Sequence, residues 1–158
     1  MPSFEDSYIG RIRKLVGDET LIVMATRGVI CDPHDKILLV RRRDNSKWVM
    51  PSGALELEEN IYDCLKREVW EESGLHVISA TLMGVYASPN AVSAYGHPYY
   101  VVTIQFMVDE WTGTLVTETD ETINAGFFSL TELPEELADY YYEVIEDFKN
   151  YEGGIILK

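Results

Sequence analysis

Hydrophobic positions along this chain follow two rhythms, and the switches between them mark out the elements. Tyr8, Ile9, Ile12, Leu15 and Val16 recur at helical spacing, with Gly17 in the place of a C-cap, so a helix is predicted over 7–16. Residues 20–31 and 36–42 are rich in β-branched and aliphatic side chains and read as strands. Asp32-Pro33-His34-Asp35 between them has turn chemistry, which predicts a hairpin. A short strand is expected at Trp48-Val49-Met50, and the helical rhythm returns over 60–73, closed by Gly74. Residues 75–86 read as a long strand, 88–98 as irregular, and 99–108 as an apolar strand buried on both faces. A turn at Trp111-Thr112-Gly113 leads to a strand at 114–117, an acidic loop from Glu118 to Glu121, and a last strand at 125–130. Thr131 as N-cap and Pro134 in a first turn predict a long final helix over 131–149. Its Tyr140, Tyr141 and Tyr142 suit a core or dimer contact. No repeat or linker divides residues 1–158, so the expectation is a single α/β layered domain.

Composition narrows the function classes. A chain of 158 residues is one domain's length and can bury roughly 70% of its unfolded surface. With 46% hydrophobic residues it is not a disordered segment, and two cysteines, Cys31 and Cys64, cannot make a disulfide scaffold. Thirteen Lys and Arg against 27 Asp and Glu give a net charge of −14, which disfavours general nucleic-acid binding, because that affinity comes from cations on phosphates. A small anionic substrate fits only where cations or a metal line the pocket. The first twenty residues hold no signal-length apolar run, and no stretch approaches the about 20 apolar residues of a membrane span. The expected location is the cytoplasm, away from membranes.

The segment Gly53 to Leu75 carries the chemistry. On a helical wheel Ile61, Leu65 and Val69 make an apolar stripe. Glu72 falls inside that stripe, Glu68 on its edge, and Glu71 beside Glu68. Like charges at i,i+4 cost a few tenths of a kcal/mol. An unpaired carboxylate on an apolar face costs several kcal/mol or takes up a proton. A divalent cation would reverse every one of these penalties, and all-oxygen ligands suit Mg²⁺ or Mn²⁺. The alternative is a solvated acidic helix face.

The same segment resembles the Nudix box. That signature is Gly, five residues, Glu, seven residues, then Arg-Glu-aliphatic-any-Glu-Glu-any-Gly-aliphatic. Gly53, Glu59, Arg67, Glu68, Val69, Glu71, Glu72, Gly74 and Leu75 each stand in place. Trp48, Pro51 and Phe127-Phe128 add to the likeness, which runs from about Leu21 to Leu133. The resemblance implies the Nudix fold, an α/β/α sandwich with a mixed β-sheet, whose box is a loop, a helix and a loop. It implies metal-dependent hydrolysis of a pyrophosphate bond in a nucleoside diphosphate linked to another moiety: ADP-ribose, a nucleotide sugar or a modified nucleoside triphosphate. Glu68, Glu71 and Glu72, with the Ser52 carbonyl, are then the metal ligands. Glu59 and Arg67 tie the box loop to its helix, and Gly53 and Gly74 shape the backbone. Ser52 and Glu58 stand where the family usually has glycine, and a left-handed Glu58 would cost roughly 1 kcal/mol.

The proton of the attacking water needs a base. Members of the family use a box glutamate or an acid on a later loop, so Glu71, Glu72 and Glu121 are the candidates. Arg43, at the end of the second strand, is the candidate phosphate contact, with an edge-strand charge as the alternative. Tyr95 and His97, in the irregular stretch, are candidates for holding the rest of the nucleotide. The rival function is a nucleotide-sensing module that binds without turnover. Either terminal helix could support a homodimer.

Overall fold

A computed structural model describes residues 3–158. Its elements are α1 (Tyr8–Val16), β1 (Leu21–Ile30), β2 (Ile37–Arg42), β3 (Trp48–Val49), β4 (Ser52–Ala54), α2 (Ile61–Ser73), β5 (His76–Val92), β6 (Pro98–Thr112), β7 (Thr122–Phe128), α3 (Tyr141–Lys149) and β8 (Ile156–Leu157). The strands form a five-stranded sheet in the order β4-β1-β6-β5-β8 and a three-stranded sheet in the order β3-β2-β7. The larger sheet is mixed: β1 runs parallel to β6, and β5 antiparallel to it. The mixed α/β architecture is the expected one.

Two cores hold the layers. One lies between α2 and the larger sheet, around Leu65, Val69, Ile104 and Phe106. Gly28 makes this approach close, because a Cβ there would stand 3.2 Å from the Leu65 side chain. The other lies between the sheets and α3, around Val29, Leu39, Trp48, Met83, Tyr141 and Ile145. Tyr141 is buried while Tyr140 and Tyr142 are exposed, so the tyrosine run is divided between core and surface. Cys64 is buried, Cys31 partly so, and both are free thiols pushed upward by burial, Cys64 to about 12 and Cys31 to about 11. Two arginines are also inside. Arg13 bonds the carbonyls of Gly17, Glu19 and Pro98, and Arg27 bonds Gln105 and faces the rings of Tyr86 and Tyr141. Among the described residues no helix is long and apolar enough to cross a membrane.

Four expectations need correction. The turn at 32–35 forms, with Asp32 accepting from the backbone N–H of His34 and Lys36. Beyond a single bridge between Cys31 and Ile37, however, β1 and β2 part into different sheets, so they are not a hairpin. The irregular stretch 88–98 is mostly strand: β5 and β6 pair as far as Val92 and Pro98, leaving a tight tip between them. Residues 114–117 form no strand; Val116 instead donates to the Ser73 carbonyl at the end of α2. The final helix starts at Tyr141, not Thr131. Trp48 competes for the backbone of the preceding stretch, donating to the Glu136 carbonyl and accepting from the Ala138 N–H. Its ring meets Phe128 edge-on at 4.9 Å. Strand β8, pairing with β5 at Gly84 and Val85, was not foreseen.

Candidate active site

Local chemistry sets the box helix. Asn60 caps α2 by accepting from the Asp63 N–H, and Gly74 ends it in the left-handed region at φ 72°. Within α2, Leu65 and Val69 sit at 1% and 0% exposure as the stripe requires, while Ile61 lies at the exposed end. Glu72 and Glu68 are buried among them at 2% and 7% exposure.

Strand β4 lies across these carboxylates. The Ser52 N–H donates to Glu72 Oε2 at 2.9 Å. Gly53 cannot be any other residue without moving Glu68, because a Cβ there would stand 2.0 Å from its carboxyl carbon. Glu58 is spared strain: among the described residues, the non-glycines with positive φ are Asp35 and Ser46.

Arg67 organises the box. It grips Glu59 with two bonds, Nε to Oε2 at 2.9 Å and Nη2 to Oε1 at 2.6 Å. It also donates to Glu68 Oε1 at 2.6 Å, Glu71 Oε2 at 3.0 Å and the Ala54 carbonyl at 3.0 Å. One guanidinium thus joins loop, strand and helix in the bidentate geometry that favours arginine over lysine.

From the opposite wall comes Glu121, on the loop before β7. Oxygens of Glu68, Glu72 and Glu121 all come within 4.8 Å of one another. Three converging carboxylates strain their own ionisation. Burial pushes Glu68 up to about 7 despite Arg67, with Glu71 and Glu121 adding to the rise. Glu72 is raised well above its usual range, by burial first and Glu68 second. Glu121 is also raised, by partial desolvation where it leans into the cleft and then by Glu71. The donor set is hard, anionic and short of positive charge, which fits a divalent cation with oxygen ligands.

Glu68 and Glu121 line a cleft of about 630 Å³ together with Ser52, Gly53, Arg67, Glu71, Tyr95 and Arg43, and Glu72 is buried beside them. Of the candidate residues, then, the structure brings Glu68, Glu72 and Glu121 together, places Glu71 beside them under Arg67, and puts Ser52 on the same wall. His97 is elsewhere, its Nδ1 3.2 Å from Asp18. Arg43 edges the cleft, but its guanidinium faces the loop of Glu121. It donates to the carbonyls of Asp120 at 3.2 Å and Thr119 at 2.9 Å, and to Glu118 at 3.3 Å. Arg42, not singled out from the sequence, lines the cleft as well and is paired by two bonds with Asp44.

The family model described as the NUDIX domain matches residues 22–148. The chain belongs to the Nudix family. It is 34% identical over 134 residues to an ADP-ribose pyrophosphatase of Methanocaldococcus jannaschii, covering 83% of this chain and 75% of that protein. It is 33% identical over 93 residues to an 8-oxo-dGTP diphosphatase of Proteus vulgaris, covering 56% of this chain and 77% of that protein. Its fold is that of a MutT protein from Methanosarcina mazei, with TM-score 0.72 and 23% identity over 84% of this chain and 96% of that one. Family and relatives make this Nudix protein a pyrophosphohydrolase, of a family that generally uses divalent metals.

Proposed function

We propose that this Nudix protein hydrolyses the pyrophosphate bond of a small nucleoside diphosphate derivative, with Mg²⁺ or Mn²⁺ as cofactor. The convergence of Glu68, Glu72 and Glu121 within 4.8 Å carries the reading, because all three stay raised despite Arg67 and Arg42 nearby. Glu68 and Glu72 are the inner ligands, fixed on a helix and backed by Arg67 and the Ser52 N–H. Glu71 and the Ser52 carbonyl complete the set. When bound, the cation supplies positive charge to the pyrophosphate oxygens and acidifies the attacking water. Glu121, on a loop rather than a helix, takes the water's proton. Arg42, held in orientation by Asp44, steadies the phosphate that does not react. Arg43 keeps the Glu121 loop closed over the cluster. The likeness to an ADP-ribose pyrophosphatase and to an 8-oxo-dGTP diphosphatase supports pyrophosphate hydrolysis and leaves both substrate types open.

The test is formation of the nucleoside monophosphate, read by chromatography, from ADP-ribose, nucleotide sugars, and oxidised and normal nucleoside triphosphates, with Mg²⁺ or EDTA. Turnover that needs Mg²⁺ and is lost in Glu72→Gln supports the reading and names the substrate. Absence of turnover on every compound, with thermal stabilisation by one of them, would favour a nucleotide sensor.

A further inference from the structure

Phe4 and Tyr95 face one another with ring centroids 6.3 Å apart and a 33° tilt. Unlike Trp48 and Phe128 in the core, both are exposed, at 47% and 70%. Both border the cleft of the carboxylates, and both also border an adjoining cavity of about 380 Å³ lined by Tyr99, Val101 and Tyr140. An exposed aromatic pair at the junction of two cavities contributes little to folding and invites a ligand.

Each ring is braced from its own side. Phe4 lies in a turn that folds back on α1, where Ser7 Oγ donates to the Phe4 carbonyl at 2.7 Å. Gly10 permits this fold-back, since a Cβ there would lie 1.9 Å from that carbonyl oxygen. The helix is tied in turn to the box loop, because Glu56 accepts from the Tyr8 N–H at 3.0 Å. Tyr95 sits at the β5–β6 tip, where Ser93 Oγ accepts from the N–H groups of Tyr95 and His97, and His97 reaches Asp18. The two walls are therefore set before any ligand arrives, which lowers the ordering cost of binding.

We infer that Phe4 and Tyr95 form a clamp for the planar base of the substrate, so that the segment before the family domain completes the active-site cleft. A ring between two others needs two contact distances of about 3.5 Å, or roughly 7 Å in all. The ring centroids stand 6.3 Å apart at a 33° tilt, so a base enters by a modest rotation and spreading of two exposed side chains. The substrate class is then a nucleoside diphosphate derivative, gripped by its base at the clamp and its pyrophosphate at the carboxylates, and not a base-free pyrophosphate. Phe4 lies outside the matched residues 22–148 and Tyr95 within them, so the clamp joins the segment before the family domain to the domain itself. The inference rests on the proposed pyrophosphate site, but its test does not need turnover.

The experiment compares two non-hydrolysable probes by calorimetric titration with Mg²⁺: α,β-methylene-ADP, which has a base, and methylenediphosphonate, which has none. Phe4→Ala and Tyr95→Ala are each expected to weaken the first about tenfold and the second less than twofold, and Phe4→Trp to restore binding. An α,β-methylene-ADP affinity within twofold of the parent chain in both alanine variants would overturn the clamp, as would an equal loss for both probes. Tyr95→Ala keeps the test sound should Phe4→Ala loosen α1, because the hairpin tip is held by its backbone bonds. A chain that turns over no pyrophosphate but loses α,β-methylene-ADP in these variants would refute the catalytic reading and leave the clamp standing.

Discussion

Two groups of glutamates in the same motif are treated in opposite ways. In the box loop, Glu59 works against its own desolvation, yet Arg67 and the Glu56 N–H hold it below the ordinary carboxylate range. On the helix, Glu68 and Glu72 are buried, crowded by each other, and raised. The first group is satisfied by the chain itself and stabilises the fold. The second is left in want of positive charge from outside it. Environments that push like groups apart are a signature of divided roles: structure on one side, chemistry on the other.

Glu72→Gln should separate the two groups most sharply. Turnover falls at least about 100-fold, while the metal-free protein melts at a higher temperature because a buried charge is gone. Nucleoside monophosphate formation with Mg²⁺ and a thermal melt in EDTA check both. Gly53→Ala should come next. The Glu68 carboxylate can swing away from the new methyl group, so stability drops by no more than about 1–2 kcal/mol. Swinging away undoes the site, and activity falls roughly tenfold or more, read as a higher Mg²⁺ requirement. Glu59→Gln breaks the grip of Arg67 and costs about 1–2 kcal/mol of stability by urea unfolding, with a smaller loss of turnover than either change above.

The weakest and most diagnostic effect is on pH. Glu68 is raised, so the folded metal-free chain binds more protons than the unfolded one between the ordinary carboxylate range and about 7. Its contribution to stability therefore declines as pH rises through that window. Glu59 is lowered, and its contribution is present at neutral pH and lost as pH falls below the ordinary range. Melts in EDTA from about pH 3 to 8 should show Glu68→Gln flattening the neutral side and Glu59→Gln flattening the acid side. The same slope in both variants would erase the distinction.

What the sequence made legible was whatever is decided within a few residues. The box helix was readable because its cap Asn60, its stop Gly74 and its three glutamates lie in one turn-by-turn pattern. The rest depended on partners far along the chain. Thr131 and Pro134 are sound local signals for a helix start, but Trp48 supplies competing bonds from more than eighty residues away. The turn at 32–35 is real, yet which sheet each flanking strand joins is decided by β6 and β7. Glu121 was reachable as an acid on a late loop, whereas its meeting with Glu68 and Glu72 needed the fold. Phe4 gave no signal at all, since its place is set by a fold-back across Gly10.

The two interior arginines have a consequence for encounter with substrate. Arg13 and Arg27 sit at 7% and 4% exposure, so part of a small stock of cations is withdrawn from a chain of net charge −14. The outward field is more uniformly negative than the formal count suggests. A free nucleotide anion is repelled on approach, and it meets a surface that favours it only once cations gather at the cleft. Added inert salt should then quicken association instead of slowing it, the reverse of a protein that draws its anions in by long-range attraction.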